Sequence, residues 1–490
     1  MTKFAKNSDA AAVWGQSPRM SLLETLIWRA EADPRLRSTI TVVDILDRAP
    51  DWDRLVNAHD WATRMVPRMR QRVIEPALPV GPAVWAVDPD FDLGYHLRRV
   101  RLPEPGTDRQ LLDLAQQLSM TPFDRARAQW EATLVEGLAV GRAAYVLKLH
   151  HSATDGLGGI QLLSMLHSRT RESSPDKPQP PPAAPQRLNP LGLLADELIG
   201  NARRAPGVAV RRAAGVLGSA GRALRRPDRA VADSARLALS AGRVFAAPAA
   251  RRSPLLRGHS LSRHFEAHAV ALADLKAAAK AAGGSVNDAY LAALCGALRR
   301  YHEYFDVPID AIPVAIPVSL RTSEDPLGGN RIGAVRFAAP IGERDPRERI
   351  RLIREVVVGA RAEQAIDVLS VLAPALNALP TGVLTGLIEH YTGGHDLQAS
   401  NVPGIGHPVY LAGARITHMY PFGPVPGCAV MAGLVSHNGT CCVGVNLDPA
   451  AITDPAVFAT CLRAGFDEVV ALHHDKGGQH TTPADAHPQP

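Results

Sequence analysis

The sequence contains few cysteines and few aromatic residues for a chain of 490 residues. Aromatic residues make up 5% of it, and its five cysteines form neither a C-x-x-C pair nor a regular ladder of spacings. An odd number of cysteines without such spacings argues against a disulfide framework and a structural zinc site, and it favours a reducing compartment. No apolar run follows the basic residues near the N-terminus, so we expect no secretory signal.

Long uncharged stretches are also scarce. One of them, residues 368–388, is long enough to cross a bilayer, but it contains Pro374 and Pro380. A proline inside a helix removes a hydrogen bond and clashes with the preceding turn, at about 3 kcal/mol or more. We therefore predict two short buried helices, bordering an apolar ligand channel, rather than one membrane-spanning helix.

The length and composition are those of a soluble protein with two domains. Apolar residues make up 46% and charged residues 21% of the chain, and 490 residues suffice for two domains of about 200 residues each. Seven prolines within 173–190 exclude regular structure there. We predict an N-terminal domain over 1–170, a proline-rich and then basic connector over 171–255, a C-terminal domain over 256–475, and a disordered tail over 476–490.

The positive charge is concentrated in the connector. Residues 195–243 contain ten arginines and four acidic residues, an excess that equals the net charge of +6 for the whole chain. Arginines alternating with alanine, valine and leucine are typical of a basic amphipathic helix that meets anionic lipid. A solvated helical connector explains the pattern equally well. We expect no nucleic-acid partner, because aromatic residues to stack on bases and a recognisable binding module are both missing.

One strand–turn–helix unit contains the residues that suit chemistry. The apolar run 143–149 predicts a buried strand, His150 and His151 stand at its end, and Asp155-Gly156 forms the turn into a helix that runs toward residue 169. Elsewhere, Ser285 and Asp288 predict a capped amphipathic helix, Asn438-Gly439 a hairpin turn, and Asp454-Pro455 the start of a last helix.

The two histidines are the candidate catalytic residues. Adjacent side chains at a strand end point to opposite sides, so only one histidine faces a given cleft. A neutral imidazole, with a pKa of about 6.5, is suited to take a proton from an alcohol at neutral pH. Asp155 would then brace the loop through a buried ion pair. From the residues alone, an ordinary strand end remains an open alternative, and a metal site is disfavoured because no third ligand lies at helical spacing.

His150 to Gly156 (HHSATDG) resembles the HHxxxDG motif of the superfamily that includes chloramphenicol acetyltransferase and the condensation domains of peptide synthetases. Companion stretches narrow the resemblance to the wax ester synthase/acyl-CoA:diacylglycerol acyltransferase family, and together they cover most of residues 18–472. In family order they are PAVWAVDPDFDLGYH at 82–96, PFDRARAQWEATLVEGL at 122–138, Asn287-Asp288, GNRIG at 329–333 and SNVPG at 400–404.

The resemblance implies a mixed α/β fold with two chloramphenicol acetyltransferase-like domains in pseudo-symmetric arrangement and a tunnel at their interface. It implies that His151 is the general base and that Gly156 leaves room for substrate. His150 and Asp155 would support the loop. No cofactor, no metal and no covalent acyl-enzyme is implied, since acyl-CoA is itself a substrate.

The companion motifs have simpler structural explanations beside their functional ones. Asn287 and Asp288 either bind substrate or cap a helix and hold the domains together, and we favour the cap. Ser400 and Asn401 either line the site or form a turn. Asn330 is interpreted as a structural loop residue.

The resemblance implies transfer of a long-chain fatty acyl group from acyl-CoA to diacylglycerol or to a long-chain alcohol. The expected location is cytoplasmic, with peripheral attachment to the inner face of the cell membrane or to lipid droplets. One alternative keeps the fold and the base but uses a carrier-bound hydroxyl or amine acceptor of polyketide or peptide type. Another is a lipid-binding relative with a silent site.

Overall fold

The structure is a computed structural model that describes residues 14–15, 17–79, 81–172, 180–200, 250–320, 328–361 and 368–473. The strands are, in chain order, β1 (Thr39–Leu46), β2 (Gln71–Ile74), β3 (Val84–Val87), β4 (Leu97–Arg101), β5 (Trp130–Glu136), β6 (Ala143–His150), β7 (His264–Ala271), β8 (Ile312–Ser319), β9 (Ile332–Ala339), β10 (Leu397–Val402), β11 (Tyr410–Leu411), β12 (Ala414–Phe422), β13 (Val430–His437) and β14 (Thr440–Leu447).

The helices lie before, between and after these strands along the chain. They are α1 (Leu22–Ala30), α2 (Trp52–Met65), α3 (Leu93–His96), α4 (Asp108–Met120), α5 (Gly156–Leu166), α6 (Leu272–Ala281), α7 (Val286–Tyr304), α8 (Pro346–Arg361), α9 (Val368–Asn377), α10 (Thr381–Thr392) and α11 (Pro455–Ala471). A further helical segment covers 190–200, and the described part of the proline-rich stretch, 180–189, has no regular structure.

Two six-stranded mixed sheets form the framework, which confirms the predicted mixed α/β class. The first has the order β11-β12-β1-β6-β5-β4 and the second β7-β14-β13-β10-β8-β9. All eight residues of β6 are buried, as its continuous apolar sequence predicts for a strand covered on both faces. The tunnel between the halves stays a prediction.

The second half of the chain contributes two strands to the first sheet. β11 and β12 come from the predicted C-terminal domain, yet β12 pairs antiparallel with β1 in the first sheet, for example Thr41 opposite Phe422. The sheet that contains His150 is therefore completed by residues about 270 positions further along the chain. The domain bounds stay a prediction. The arginine-rich connector between 201 and 249 and the tail beyond 473 lie outside the described residues.

Several local predictions are confirmed, with one correction. Ser285 caps α7, Asp454 and Pro455 begin α11, and Asn438-Gly439 joins β13 to β14 with positive φ angles of 45° and 87°. The prediction that α7 is amphipathic was wrong over its first half: every residue from 288 to 298 is buried, because α7 lies within the core of the second half.

The uncharged stretch folds into two short helices, α9 and α10, as predicted. Among the described residues no helix is long and apolar enough to cross a membrane. The prediction that both helices are buried was wrong for their outer side, where Leu372, Val383 and Leu387 are 39%, 52% and 48% exposed. Only the inner side is covered: Leu384 is fully buried in a cluster that it forms with α1.

Candidate active site

The end of β6 separates the two histidines. The β1–β6 ladder continues one residue past the strand, since the His151 N–H donates to the carbonyl of Ser38 at 2.8 Å. His150 is 1% exposed, whereas His151 is half-buried. The chain therefore directs one imidazole into the protein and the other toward a partly open side, as the alternation of side chains along a strand predicts.

His150 has both ring nitrogens in hydrogen bonds. Its Nδ1 accepts from the Ser152 N–H at 3.0 Å, so Nε2 carries the proton and donates it to the Glu31 carboxylate. Burial alone would raise the pKa of Glu31, but the hydrogen bond from His150 and the positive charge of Arg37 contribute to lowering it. The His150 ring also meets Trp28 edge-on, with centroids 5.2 Å apart. This imidazole supports the structure and has no free lone pair.

His151 has one nitrogen fixed and one unused. Its Nδ1 lies 3.0 Å from Oδ1 of Asn330, and among the described residues no hydrogen-bond partner reaches Nε2. Burial lowers the pKa of His151 below its ordinary value, while the charge of Asp155 and the hydrogen bonds with its own backbone and with Asn330 oppose the shift. A neutral imidazole with an unused nitrogen has the properties of a general base.

Asp155 braces the turn by hydrogen bonds. One carboxylate oxygen caps α5 by accepting from the Gly158 N–H at 2.8 Å, and the other accepts from the Arg331 N–H at 3.2 Å. The Asp155 N–H donates in turn to the carbonyl of Gly329 at 3.2 Å. Asp155 therefore joins the histidine turn to a loop of the second half, and the predicted ion pair stays a prediction.

Gly156 is required where β10 approaches the turn. A Cβ on Gly156 would lie 2.9 Å from Cγ2 of Val402, the last residue of β10. β10 also contains Ser400 and Asn401, and alternation along the strand places Ser400 on the same side as Val402 and Asn401 on the opposite side. The structure therefore brings the 400–404 motif next to the histidine turn. The substrate roles of Ser400 and Asn401 stay predictions.

Asn287 and Asp288 form the start of α7. Asp288 completes a capping box with Ser285, whose backbone N–H it accepts at 2.8 Å, and it pairs with Arg354 on α8 at 3.4 Å. Asn287 has a buried Nδ2 without a hydrogen-bond partner in the described part of the chain. The contacts of Asp288 are those of a helix cap. A substrate role for Asn287 or Asp288 stays a prediction.

Sequence reasoning did not name Glu24 as part of the site, and it named Asn330 only as a structural loop residue. The 328–330 loop was interpreted as structural, but its two glycines have φ of +77° and +70°, and a Cβ on Gly329 would lie 2.9 Å from Glu24 Oε1. The Gly-Gly-Asn sequence was the available signal. Two adjacent glycines can adopt positive φ angles, which lets the backbone turn sharply and sets the direction of the side chain that follows. No three metal-binding side chains come together among the described residues.

Family comparison identifies the chain. Residues 20–290 match the wax ester synthase/diacylglycerol acyltransferase catalytic domain, and residues 328–469 match the C-terminal domain of the same family. The chain belongs to the wax ester synthase/diacylglycerol acyltransferase family. It is therefore an acyltransferase, as the sequence resemblance implied.

Individual relatives agree with this family. A Mycobacterium tuberculosis protein (strain H37Rv), provisionally named a diacylglycerol O-acyltransferase, is 44% identical over 462 residues, which is 94% of each chain. A second protein of that strain, with a similar name, is 33% identical over 369 residues, which cover 72% of this chain and 76% of the relative.

Solved structures share the fold. The wax ester synthase/diacylglycerol acyltransferase from Marinobacter aquaeolei VT8 matches with a TM-score of 0.62 and 22% identity, covering 93% of this chain and 100% of that one. The first condensation domain of the calcium-dependent antibiotic synthetase matches with a TM-score of 0.59 and 14% identity, over 93% and 96% of the two chains. The fold of this family member is thus the condensation-domain fold that the HHxxxDG motif implied.

Proposed function

We propose that the chain transfers a long-chain fatty acyl group from acyl-CoA to the hydroxyl of diacylglycerol or of a long-chain alcohol. Nε2 of His151 takes the hydroxyl proton as the oxygen attacks the thioester carbonyl. The tetrahedral intermediate then collapses, the carbon–sulfur bond breaks, and the imidazolium returns its proton to the CoA thiolate. The products are a triacylglycerol or a wax ester and free CoA, with no covalent acyl-enzyme.

One observation carries this assignment: Nε2 of His151 is unused among the described residues, while every nitrogen of His150 is hydrogen-bonded. A base needs a free lone pair within reach of the acceptor hydroxyl. Asp155 supports the same step, since its negative charge favours the imidazolium that forms as the proton is taken. The names of the relatives support diacylglycerol as the acceptor.

We also propose that the chain works at a lipid surface, at the inner face of the cell membrane or on lipid droplets. Residues 368–388 contain no charged side chain, and Leu372, Val383 and Leu387 form an exposed apolar surface on α9 and α10. The helix α9 packs on α1, where Asn377 donates to the carbonyl of Leu22 at 2.7 Å. The same helix α1 reaches the site through Glu24, which accepts from the Asn330 N–H at 3.0 Å. Under this proposal, an acceptor dissolved in lipid enters along α1.

The transfer itself is tested with purified protein and radiolabelled palmitoyl-CoA. Diolein, hexadecanol and an amine serve as parallel acceptors, and the His151→Ala variant serves as the blank. The expected products are labelled triacylglycerol, wax ester or both. Absence of label from both esters, or equal product from the blank, would refute the proposal.

The lipid surface is tested by vesicle flotation, which needs no catalysis. Replacing Val383 and Leu387 by aspartate is expected to lower binding to phosphatidylcholine vesicles that contain diolein. Val140→Asp is the matched control, since Val140 is 94% exposed on the turn between β5 and β6. Unchanged binding of the double variant, or binding that occurs only with anionic lipid, would assign the contact to the basic connector instead.

A further inference from the structure

We propose that Asn330 is a positioning residue that fixes the tautomer of His151, so that Nδ1 carries the proton and Nε2 is the base. The inference rests on the proposed role of His151 and names the residue that selects the reactive nitrogen. A neutral imidazole has its proton on either nitrogen, and only a nitrogen without a proton can accept one. The surroundings of the ring must therefore select the tautomer.

The orientation of the Asn330 amide follows from its contact with the backbone. Its Nδ2 lies 2.7 Å from the carbonyl oxygen of His151, and a carbonyl oxygen only accepts hydrogen bonds. The NH₂ end of the amide therefore faces that carbonyl, and the oxygen end faces the ring. With the amide reversed, two oxygens would meet at this distance.

The amide oxygen then decides the state of the ring. Oδ1 of Asn330 is 3.0 Å from Nδ1 of His151, and an amide oxygen has no proton to donate. The hydrogen bond exists only if Nδ1 carries the proton, which leaves the lone pair on Nε2. The Asn330 side chain thus donates from Nδ2 to the backbone carbonyl of His151, and its Oδ1 accepts from Nδ1 of the ring and so selects the tautomer.

Hydrogen bonds hold the backbone of Asn330 and of the next residue in place. Its backbone N–H donates to Oε1 of Glu24 at 3.0 Å, and the other oxygen of Glu24 accepts from the Ser21 N–H at 2.7 Å. The next residue, Arg331, donates its N–H to Asp155 at 3.2 Å. Asn330 is 5% exposed and Glu24 is 7% exposed, so water competes little for these hydrogen bonds. The amide is held in place before substrate binds.

The tautomer is measured directly by NMR of protein labelled with ¹⁵N at histidine, with the His151 signals assigned by comparison with His151→Gln. The expected wild-type spectrum has a protonated Nδ1 and an unprotonated Nε2. In Asn330→Ala we expect a mixture of tautomers or the reverse one. A wild-type ring protonated at Nε2, or a tautomer that is unchanged in Asn330→Ala, would overturn the inference.

Matched variants separate this role from general destabilisation. Asn446→Ala removes another buried amide that donates to a backbone carbonyl, at 2.8 Å, and is expected to leave the His151 tautomer unchanged. Asn330→Asp keeps an acceptor for Nδ1 but has an oxygen in place of the donor to the His151 carbonyl, so we expect it to be less stable than wild type and still to retain the tautomer and more activity than Asn330→Ala. The carboxylate of Asn330→Asp also favours the imidazolium form of His151 and so raises the pKa of His151. The acidic limb of the kcat/KM profile of this variant is therefore expected at higher pH than in wild type.

Transfer activity supplies an independent readout. Asn330→Ala is expected to lower kcat by about 10- to 100-fold, below the loss expected when a general base is removed entirely. A structural role alone would give equal losses in Asn330→Ala and Asn330→Asp and no shift of the pH limb, and that result would overturn the inference. If the NMR result stands but His151→Ala remains active, the proposed function fails and the tautomer assignment survives.

Discussion

The two sides of the C-terminal end of β6 differ in how many ring nitrogens of their histidine form hydrogen bonds with described residues. On the inner side, His150 is bonded through both nitrogens and packed against Trp28. On the outer side, His151 is half-buried, and among the described residues only its Nδ1 has a side-chain hydrogen-bond partner. The same type of side chain is therefore a structural group on the inner side and the proposed base on the outer side, and the difference lies in how many of its hydrogen bonds are satisfied.

The first prediction removes the outer imidazole. His151→Ala is expected to lower kcat/KM for acyl transfer by about 10²- to 10⁴-fold, because the acceptor proton has no base. The thermal unfolding midpoint is expected to change little, since within the described part of the chain the ring has one side-chain hydrogen-bond partner, Asn330. A variant with wild-type kcat/KM would show that the two sides do not differ in the proposed way.

The second prediction removes the inner imidazole. His150→Ala removes the donor to the partly buried Glu31 and leaves that carboxylate with Arg37 at 3.7 Å, so we expect a loss of about 1–3 kcal/mol in the free energy of unfolding, measured with urea. Glu31→Gln keeps an acceptor for Nε2–H and is expected to lose less. Equal stability of His150→Ala and wild type would contradict the structural role.

The third prediction crowds the turn itself. Gly156→Ala would push a methyl group against Val402, at about 1–3 kcal/mol, partly offset by about 0.5–1 kcal/mol gained from replacing glycine in a helix. Gly159→Ala is the control, because its Cβ would meet Thr154 at an ordinary 3.9 Å. We expect only Gly156→Ala to lose stability and activity, and equal behaviour of the two would remove the case for a close approach.

The fourth prediction concerns pH and is the smallest. Burial lowers the pKa of His151, so its neutral form persists to lower pH than that of an ordinary histidine. Since the neutral form is the base, the acidic limb of kcat/KM is expected below pH 6.5. A limb above that value, found with buffers that do not affect the substrate, would mean that Asp155 and Asn330 outweigh burial.

Features fixed by short stretches of sequence were predictable. The β6 strand, the turn at Asp155-Gly156 and the cap at Ser285 each depend on residues within a few positions of one another. The helix α5 ends at Leu166, before the predicted position, with His167 as its C-terminal cap. The residues alone left an ordinary strand end as an alternative, so the catalytic role of His151 came from the family resemblance and stays a prediction.

Features fixed by distant contacts were not predictable. Asn330 contacts His151, which lies 179 positions away in the sequence, and the local Gly-Gly-Asn pattern does not indicate which residue the asparagine will contact. The exposure of α9 and α10 was missed for the same reason. An apolar sequence predicts a helix with apolar side chains, but the packing of the neighbouring elements decides which of its sides is buried.

The contribution of β11 and β12 to the first sheet has a consequence for biosynthesis. A nascent chain that has emerged only through the HHSATDG turn cannot complete the sheet behind it, because β1 still has an unpaired edge waiting for residues 414–422. The first sheet can therefore be completed only after nearly the whole chain has been translated. Until then, the unpaired edge of β1 can pair with strands of other chains. Ribosome-bound intermediates arrested before residue 410 are thus the species on which a chaperone would act.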